Sequence, residues 1–420
     1  MQPTPSARSP LMIVLLTVLI DTIGLGIIIP VIPKLVMELS AKPIAEAAVW
    51  GGWLGFAYAF TQFFFSPIIG GLSDRFGRRP VILASLLAFG LDYIIMGFAP
   101  TLLWLFVGRV VAGISGASFS TANAYIADIT PPDKRAARFG LIGAMFGIGF
   151  ILGPTIGGLL GAYGPRVPFF AAGGLALLNA IYAYVALPES LPPESRRSFR
   201  IRRANVLGTV VQLSRYPGVL GILASLIFYQ LAHQAYPSTW SYYTMAKFGW
   251  DERAVGLSLG FFGICMAIVQ GGLAARLIPV FGEFNAVIFG FSIYAIGYAG
   301  IALAPSGWVL YLVIAATCIG GIGYPAWNGL ISKQIPGDAQ GELQGAIASS
   351  MSLTSVVGPP IMTHVFQFFS SAAAPFLLPG ASFALSAILS LLAATTFALA
   401  AWAYRPREFH GERDSEPATA

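Results

Sequence analysis

Twelve apolar segments, arranged as two groups of six around one polar stretch, constrain this chain more than any single residue does. A hydrocarbon core of about 30 Å needs roughly 20 apolar residues per helix to cross it. Leu11–Lys34, Trp50–Ile69, Val81–Phe98, Leu102–Ala124, Phe139–Leu160 and Phe169–Leu187 meet that length. After the polar stretch come Val219–Trp240, Val255–Leu277, Ala286–Ala304, Val309–Leu330, Ala346–Phe369 and Phe376–Ala400. Backbone groups in lipid must be paired within the segment, so these spans are read as helices. The expected fold class is all-α membrane, with twelve transmembrane helices in two six-helix halves. The expected boundaries are an N-terminal half at 1–187, a cytoplasmic linker at 188–216, a C-terminal half at 217–404 and a disordered cytoplasmic tail at 405–420.

Only 10% of the 420 residues are charged against 56% hydrophobic, far from the roughly one-quarter charged content of a soluble domain. The formal net charge of +6 does not point to nucleic acid, because of where the charges fall. Arg75, Arg78 and Arg79 follow the second span; Lys134, Arg135 and Arg138 follow the fourth. Arg196, Arg197, Arg200, Arg202, Arg203 and Arg215 lie between the sixth and seventh, and Arg405, Arg407 and Arg413 follow the last. The alternate loops hold far fewer, mainly Lys42, Arg166, Lys247 and Arg253. This asymmetry places both termini in the cytoplasm. The first span is long, holds Asp21 and runs into Pro30 and Pro33 without a cleavage site, so it is read as retained rather than as a signal peptide. Cys265 and Cys318 lie inside spans and are assigned packing roles, with no disulfide expected.

The two halves echo each other. Gly70-Gly71-Leu72-Ser73-Asp74-Arg75 after span two recurs as Gly271-Gly272-Leu273-Ala274-Ala275-Arg276 after span eight, and Gly153-Pro154 in span five has a counterpart in Gly358-Pro359 in span eleven. Duplication of this kind builds a central cavity between two rocking halves. The linker is solvated, with room for a short amphipathic surface helix.

Charged residues within spans are costly and therefore informative. Asp21 sits midway along span one, Asp92 in span three, and Arg109 in span four. Asp21 reads as functional, whereas Asp92 and Arg109 read first as an architectural pair. Gln230, His233 and Gln234 lie in span seven as binding candidates; His233 serves equally well as a helix–helix hydrogen bond or as a binding group. Tyr58, Gln62 and Asn328, together with Tyr236, supply the mix of aromatic and polar groups that a drug-sized ligand needs. Trp240 to Tyr243 are read instead as an interfacial aromatic belt. In the basic loop, Gly77 permits a sharp turn, Arg75, Arg78 and Arg79 have Asp128 as a pairing partner, and Asp74 suits the positive end of a neighbouring helix. These six form an expected conformational latch. No catalytic or metal constellation appears, so no enzyme activity, cofactor or metal is expected. Uphill transport then draws on an ion gradient.

Gly70 to Pro80 matches the loop signature of the major facilitator superfamily, which the chain resembles over essentially its full length. Asp21-Thr22-Ile23-Gly24-Leu25-Gly26, Arg109-Val110-Val111-Ala112-Gly113, the Gly143–Gly158 stretch and Gly341-Glu342-Leu343-Gln344-Gly345 are similar to the tetracycline-efflux-like drug/proton antiporters. The resemblance implies that Asp21, Gln62, Asp92 and Arg109 are functional polar positions, with Asp21 the proton-linked carboxylate. It implies a bacterial inner-membrane exporter, a monomer, whose partners are protons, a small molecule and the bilayer. In that family a proton enters as a drug–metal cation leaves. The intramembrane His expected in span eight aligns with Met266, and the Asp expected in span nine aligns with Tyr294. That loss opens the way to another substrate. The alternatives are an importer or facilitator of the same fold, or a non-transporting receptor.

Overall fold

The computed structural model describes residues 10–116, 118–131, 134–196, 219–336 and 339–403. Every regular element among them is helical. The first run is α1 (Pro10–Ile27) and α2 (Ile32–Ser40), split where Pro30 and Pro33 remove backbone donors. Next come α3 (Ile44–Phe76), α4 (Arg78–Gly97), α5 (Leu102–Ser115), α6 (Ser118–Asp128), α7 (Arg135–Gly161) and α8 (Val167–Ala186). The second series is α9 (Val219–His233), α10 (Ala235–Phe248), α11 (Glu252–Ile268), a π-helical turn Val269–Leu273, α12 (Ala274–Phe281) and α13 (Glu283–Leu303). It closes with α14 (Gly307–Cys318), α15 (Gly323–Lys333), α16 (Gln340–Ser370) and α17 (Ala381–Ala403). These helices follow one another in twelve consecutive runs, consistent with the twelve expected segments.

Nine stretches among the described residues are long and apolar enough to cross a membrane. The three runs outside that set are 44–76, 219–248 and 340–370, the middle one being divided at Gln234 into helices of 15 and 14 residues. Expected linker residues 197–216, the arginines within them and the tail from Arg405 lie outside the described residues.

The helices before residue 197 meet those after 218 chiefly along two seams, α7 on α11 and α3 on α16, with α10 also packing on α3. The first seam is close enough that side chains do not fit. A Cβ on Gly158 stands 2.9 Å from Gly256 Cα, and one on Gly256 stands 2.8 Å from Gly158 Cα. Close backbone approach of this kind maximises van der Waals contact where lipid supplies no hydrophobic drive. The same helix diverges toward its other end, where Gly140, Gly143 and Gly147 have no neighbouring atom within 4 Å of an added Cβ. The molecule is therefore shut at the end bearing Glu252 and parted at the end bearing Arg135.

Trp240, Tyr242 and Tyr243 are buried, contrary to the expected membrane-surface belt. Trp240 Nε1 donates to Ser258 Oγ at 2.9 Å, and the Tyr243 hydroxyl donates to the Ile301 carbonyl. Polar tips on large rings find partners more cheaply inside this bundle than they find water at its surface. Cys265 and Cys318 are free thiols, and the Cys318 thiol lies 3.9 Å from the Phe262 carbonyl oxygen.

Candidate functional site

A cavity of about 370 Å³ lies between the two series of helices. Its wall takes Tyr58 and Gln62 from α3, Arg109 from α5, Ser238, Ser241 and Tyr242 from α10, and Ser355 from α16; Gln234 joins it between α9 and α10. A second cavity of about 330 Å³ shares Ala59, Gln62 and Ser355 with the first and continues past Ser66, Pro67, Ser349 and Ser352. The two form one path along the contact between α3 and α16.

Gln62 sits at the junction. Its Nε2 donates to Gly116 O at 3.2 Å and to Tyr58 Oη at 3.3 Å, so two expected binding groups are tied together. Gln234 Nε2 donates to Ser355 Oγ at 3.2 Å, the matching link on the opposite wall. Gln230, His233 and Asn328 are not on this wall. His233 is enclosed by tyrosine rings, its Nδ1 lies 3.1 Å from Tyr229 O, and its ring meets Tyr294 edge-on at 4.5 Å. Serines 238, 241 and 355 escaped the sequence reading because nothing in their local pattern separates them from serines that bond their own helix.

The charged groups are spread differently from the expected arrangement. Asp21 is buried on α1 beside a small cleft lined by Val14, Thr17, Ile82, Leu86 and Leu187. Asp92, 2% exposed, has one carboxylate oxygen without a hydrogen-bond partner. Arg109 is also buried, and its Nη2 reaches Met96 Sδ at 3.3 Å. Among the described residues no ion pair within 4.0 Å joins Asp92 to Arg109, but the two lie close enough for the Arg109 charge to act on the Asp92 carboxylate.

The residues expected to form a latch lie at the parted end. Gly77, at φ +106°, makes the turn from α3 to α4. Arg78 is buried and holds Asp74 Oδ1 at 2.6 Å, Ser73 Oγ at 2.6 Å and Asp128 Oδ2 at 3.1 Å. Asp74 thus pairs within the turn rather than with a neighbouring helix end. Arg79 donates to Tyr184 O at 2.6 Å, whereas Arg75 is exposed over Phe76. Glu189, absent from the expected set, caps α4: its oxygens accept Arg78 N at 2.8 Å and Arg79 N at 3.3 Å. A carboxylate at a helix N-terminus satisfies orphan donors and meets the positive end of the macrodipole.

The Major Facilitator Superfamily pattern matches residues 14–359. The chain belongs to that superfamily. Within it the tetracycline resistance protein of class C from Escherichia coli is 39% identical over 365 residues, covering 87% of this chain and 91% of that one. The class H protein from Pasteurella multocida is 33% identical, covering 86% and 90%. A solved bacterial homolog of the human lysosomal transporter Spinster, in an inward-facing and unoccupied conformation, shares the fold at a TM-score of 0.75 and 16% identity, covering 96% of this chain and 98% of that one. A superfamily transporter works by moving a cavity between two accessible faces, so this chain is a membrane transporter and not an enzyme. The two positions that depart from the tetracycline-efflux resemblance adjoin in space: Tyr294 Oη lies 3.8 Å from Met266 Sδ. A thioether and a phenol occupy the place expected to hold a titratable pair.

Proposed function

We propose that this chain exports a small amphipathic drug-like compound, tetracycline being the first candidate, against inward proton flow. The central cavity carries the proposal: it is walled by both helix series and shut at one end. The similarity to tetracycline resistance proteins supports the direction of transport and the substrate. With the basic loops in the cytoplasm, the parted end faces inward, and this is the loading state of an exporter. Both termini are then cytoplasmic in an inner membrane, and the two six-helix halves, 1–187 and 217–404, rock about the linker.

Asp21 and Asp92 are assigned to proton coupling, together with Arg109. Tyr58, Gln62 and Gln234 are assigned to substrate contact. Asp74, Arg75, Gly77, Arg78, Arg79 and Asp128 are assigned to the latch, with Glu189 added. Both coupling carboxylates are buried, where a charge is costly, which favours proton exchange as the cavity changes sides.

Drug accumulation in an efflux-deficient bacterium, with and without a protonophore, tests the proposal. The expected result is lowered accumulation that the protonophore restores and that Asp21→Asn abolishes. Unchanged accumulation of every compound, with the protein confirmed in the membrane, overturns export. Coupled efflux surviving Asp21→Asn removes that residue's role.

A further inference from the structure

We propose that Cys265 and Cys318 form a dithiol site for a neutral, lipid-soluble trivalent arsenical, held by one arsenic–sulfur bond to each residue. The site is separate from the central cavity, whose walls include neither cysteine. Cys265 lies on α11 and Cys318 is the last residue of α14. They are the only two cysteines in the chain, and the fold brings their side chains into hydrogen-bond contact. Both are free thiols; Cys318 is fully buried and Cys265 is half-buried. The Cys318 thiol also reaches the carbonyl oxygen of Phe262, one turn before Cys265, at 3.9 Å. Spacing in the sequence gives no hint of this pair, because two separate helices supply it.

The surroundings favour a soft, uncharged ligand. Met266, next along α11, places its sulfur 3.8 Å from Tyr294 Oη and 3.4 Å from where a Cβ on Gly321 would stand, one turn beyond Cys318. Thiols and thioethers select soft partners over hard ones. No group of three or more His, Cys, Asp or Glu among the described residues could hold a metal, so the four ligands of a structural zinc site are not available here. A bare ion would also have to shed its hydration inside the bundle, which is expensive; a neutral arsenical does not. Two phenols complete the lining. Tyr236 and Tyr298 are buried, their hydroxyls have no hydrogen-bond partner, and both lie near enough for a charge on Cys318 to act on them.

An aryl arsenic(III) oxide reacts with such a pair without change of charge or oxidation state. Each sulfur forms a bond to arsenic, both thiol protons pass to the oxide oxygen, and that oxygen leaves as water. The sulfurs can then only accept hydrogen bonds, and the Tyr236 and Tyr298 hydroxyls are donors at hand. A disulfide would need the two Cβ atoms about 3.5–4.5 Å apart, whereas an arsenic atom set between the sulfurs bridges thiols that merely touch. Entry is by way of Cys265, since Ile268, one turn along the same face of α11, is 65% exposed. The aryl group stays on that side.

Intact-mass spectrometry of the reduced full-length chain, one copy per lipid nanodisc, tests the site with phenylarsine oxide as the probe. The chain should take up one arsenical with loss of one water. Excess glutathione, a monothiol, should leave the adduct in place, and dimercaptopropanol should strip it. Cys265→Ser and Cys318→Ser each leave a single thiol. Their adducts should be lost to glutathione at least about a hundredfold faster than the parent's, because two linked bonds hold far longer than one. A parent chain that takes up no arsenical or loses it to glutathione overturns the proposal. So does a Cys265→Ser chain that keeps the adduct against glutathione. If Cys318→Ser does not fold, Cys265→Ser, at the half-buried position, and the parent's response to the two thiol reagents decide. None of these readouts depends on transport, so failure of the exporter reading leaves this inference standing and the reverse.

Discussion

Lys34 Nζ stands 2.8 Å from Glu252 Oε1, joining α2 to the start of α11 at the shut end of the molecule. The carboxylate is nearly buried while the lysine side chain is more than half exposed. No aligned hydrogen bond accompanies the contact, so it acts through charge alone. Glu252 also packs beside the glycine seam, since a Cβ on Gly161 would meet its Cβ at 2.9 Å. Opening that seam must separate the pair. Partly exposed pairs contribute about 0–1 kcal/mol, so Glu252→Gln should shift the balance between inward- and outward-open states by no more than about fivefold. Spin-label distances across the seam should report a larger open fraction. An unchanged distance distribution would show that the pair does not bias the equilibrium.

Arg78 and Arg75 share one loop and differ in what they hold. Arg78 is buried against two carboxylates and a hydroxyl, whereas Arg75 is exposed. Arg78→Lys keeps the charge and loses the planar fork that spans Asp74 and Asp128. Transport by Arg78→Lys and by Asp74→Asn should fall at least about tenfold with membrane levels maintained, because each loses a hydrogen bond to a charged group, worth about 1.5–3 kcal/mol, at the buried Arg78 fork. Arg75→Ala should stay within about twofold of the parent, as exposed substitutions usually do. Equal losses from Arg75→Ala and Arg78→Lys would contradict this division.

This loop also marks how far sequence reading reached. That an arginine of this loop pairs with Asp128, though not which one, and the turn at Gly77 followed from residue type and position alone, as did the helical class, which twelve apolar runs impose. The Glu189 cap did not, because it joins positions more than a hundred residues apart. The same limit hid the Lys34–Glu252 contact and the inward placement of Tyr242, whose aromatic and polar character fits a membrane surface and a cavity wall equally well. Local pattern reports what a residue can do, and tertiary packing decides which partner it finds.

Glu189 gives a stability prediction. Its two oxygens cap the first donors of α4. Glu189→Gln keeps the shape and loses the charge facing the helix dipole, whereas Glu189→Ala removes the cap, for about 0.5–2 kcal/mol. Gly77→Ala should cost more, because an added Cβ meets Glu189 Cδ at 2.9 Å and the backbone sits at φ +106°. Thermal unfolding in detergent should rank the variants as Glu189→Gln, Glu189→Ala, Gly77→Ala in order of growing loss. A Gly77→Ala protein as stable as the parent would show that the turn relaxes without strain.

Met266 and Tyr294 offer the sharpest test of how the chain departs from its relatives. Tyr294 is buried, with its hydroxyl on the Met266 sulfur and its ring against His233, Tyr229 and Tyr298. Tyr294→Asp removes a large core ring and buries a carboxylate among aromatic faces, a loss of about 3–5 kcal/mol from the vacated volume alone. Met266→His by itself is closer in size and should cost less. The double variant should be more stable than the sum of the two losses, because imidazole and carboxylate sit where the sulfur and hydroxyl now touch. Coupling between contacting groups runs to about 0.5–3 kcal/mol. A thermal-unfolding cycle of the four proteins measures it directly. Strict additivity would mean that the aromatic cluster keeps the two positions apart once Tyr294 is gone.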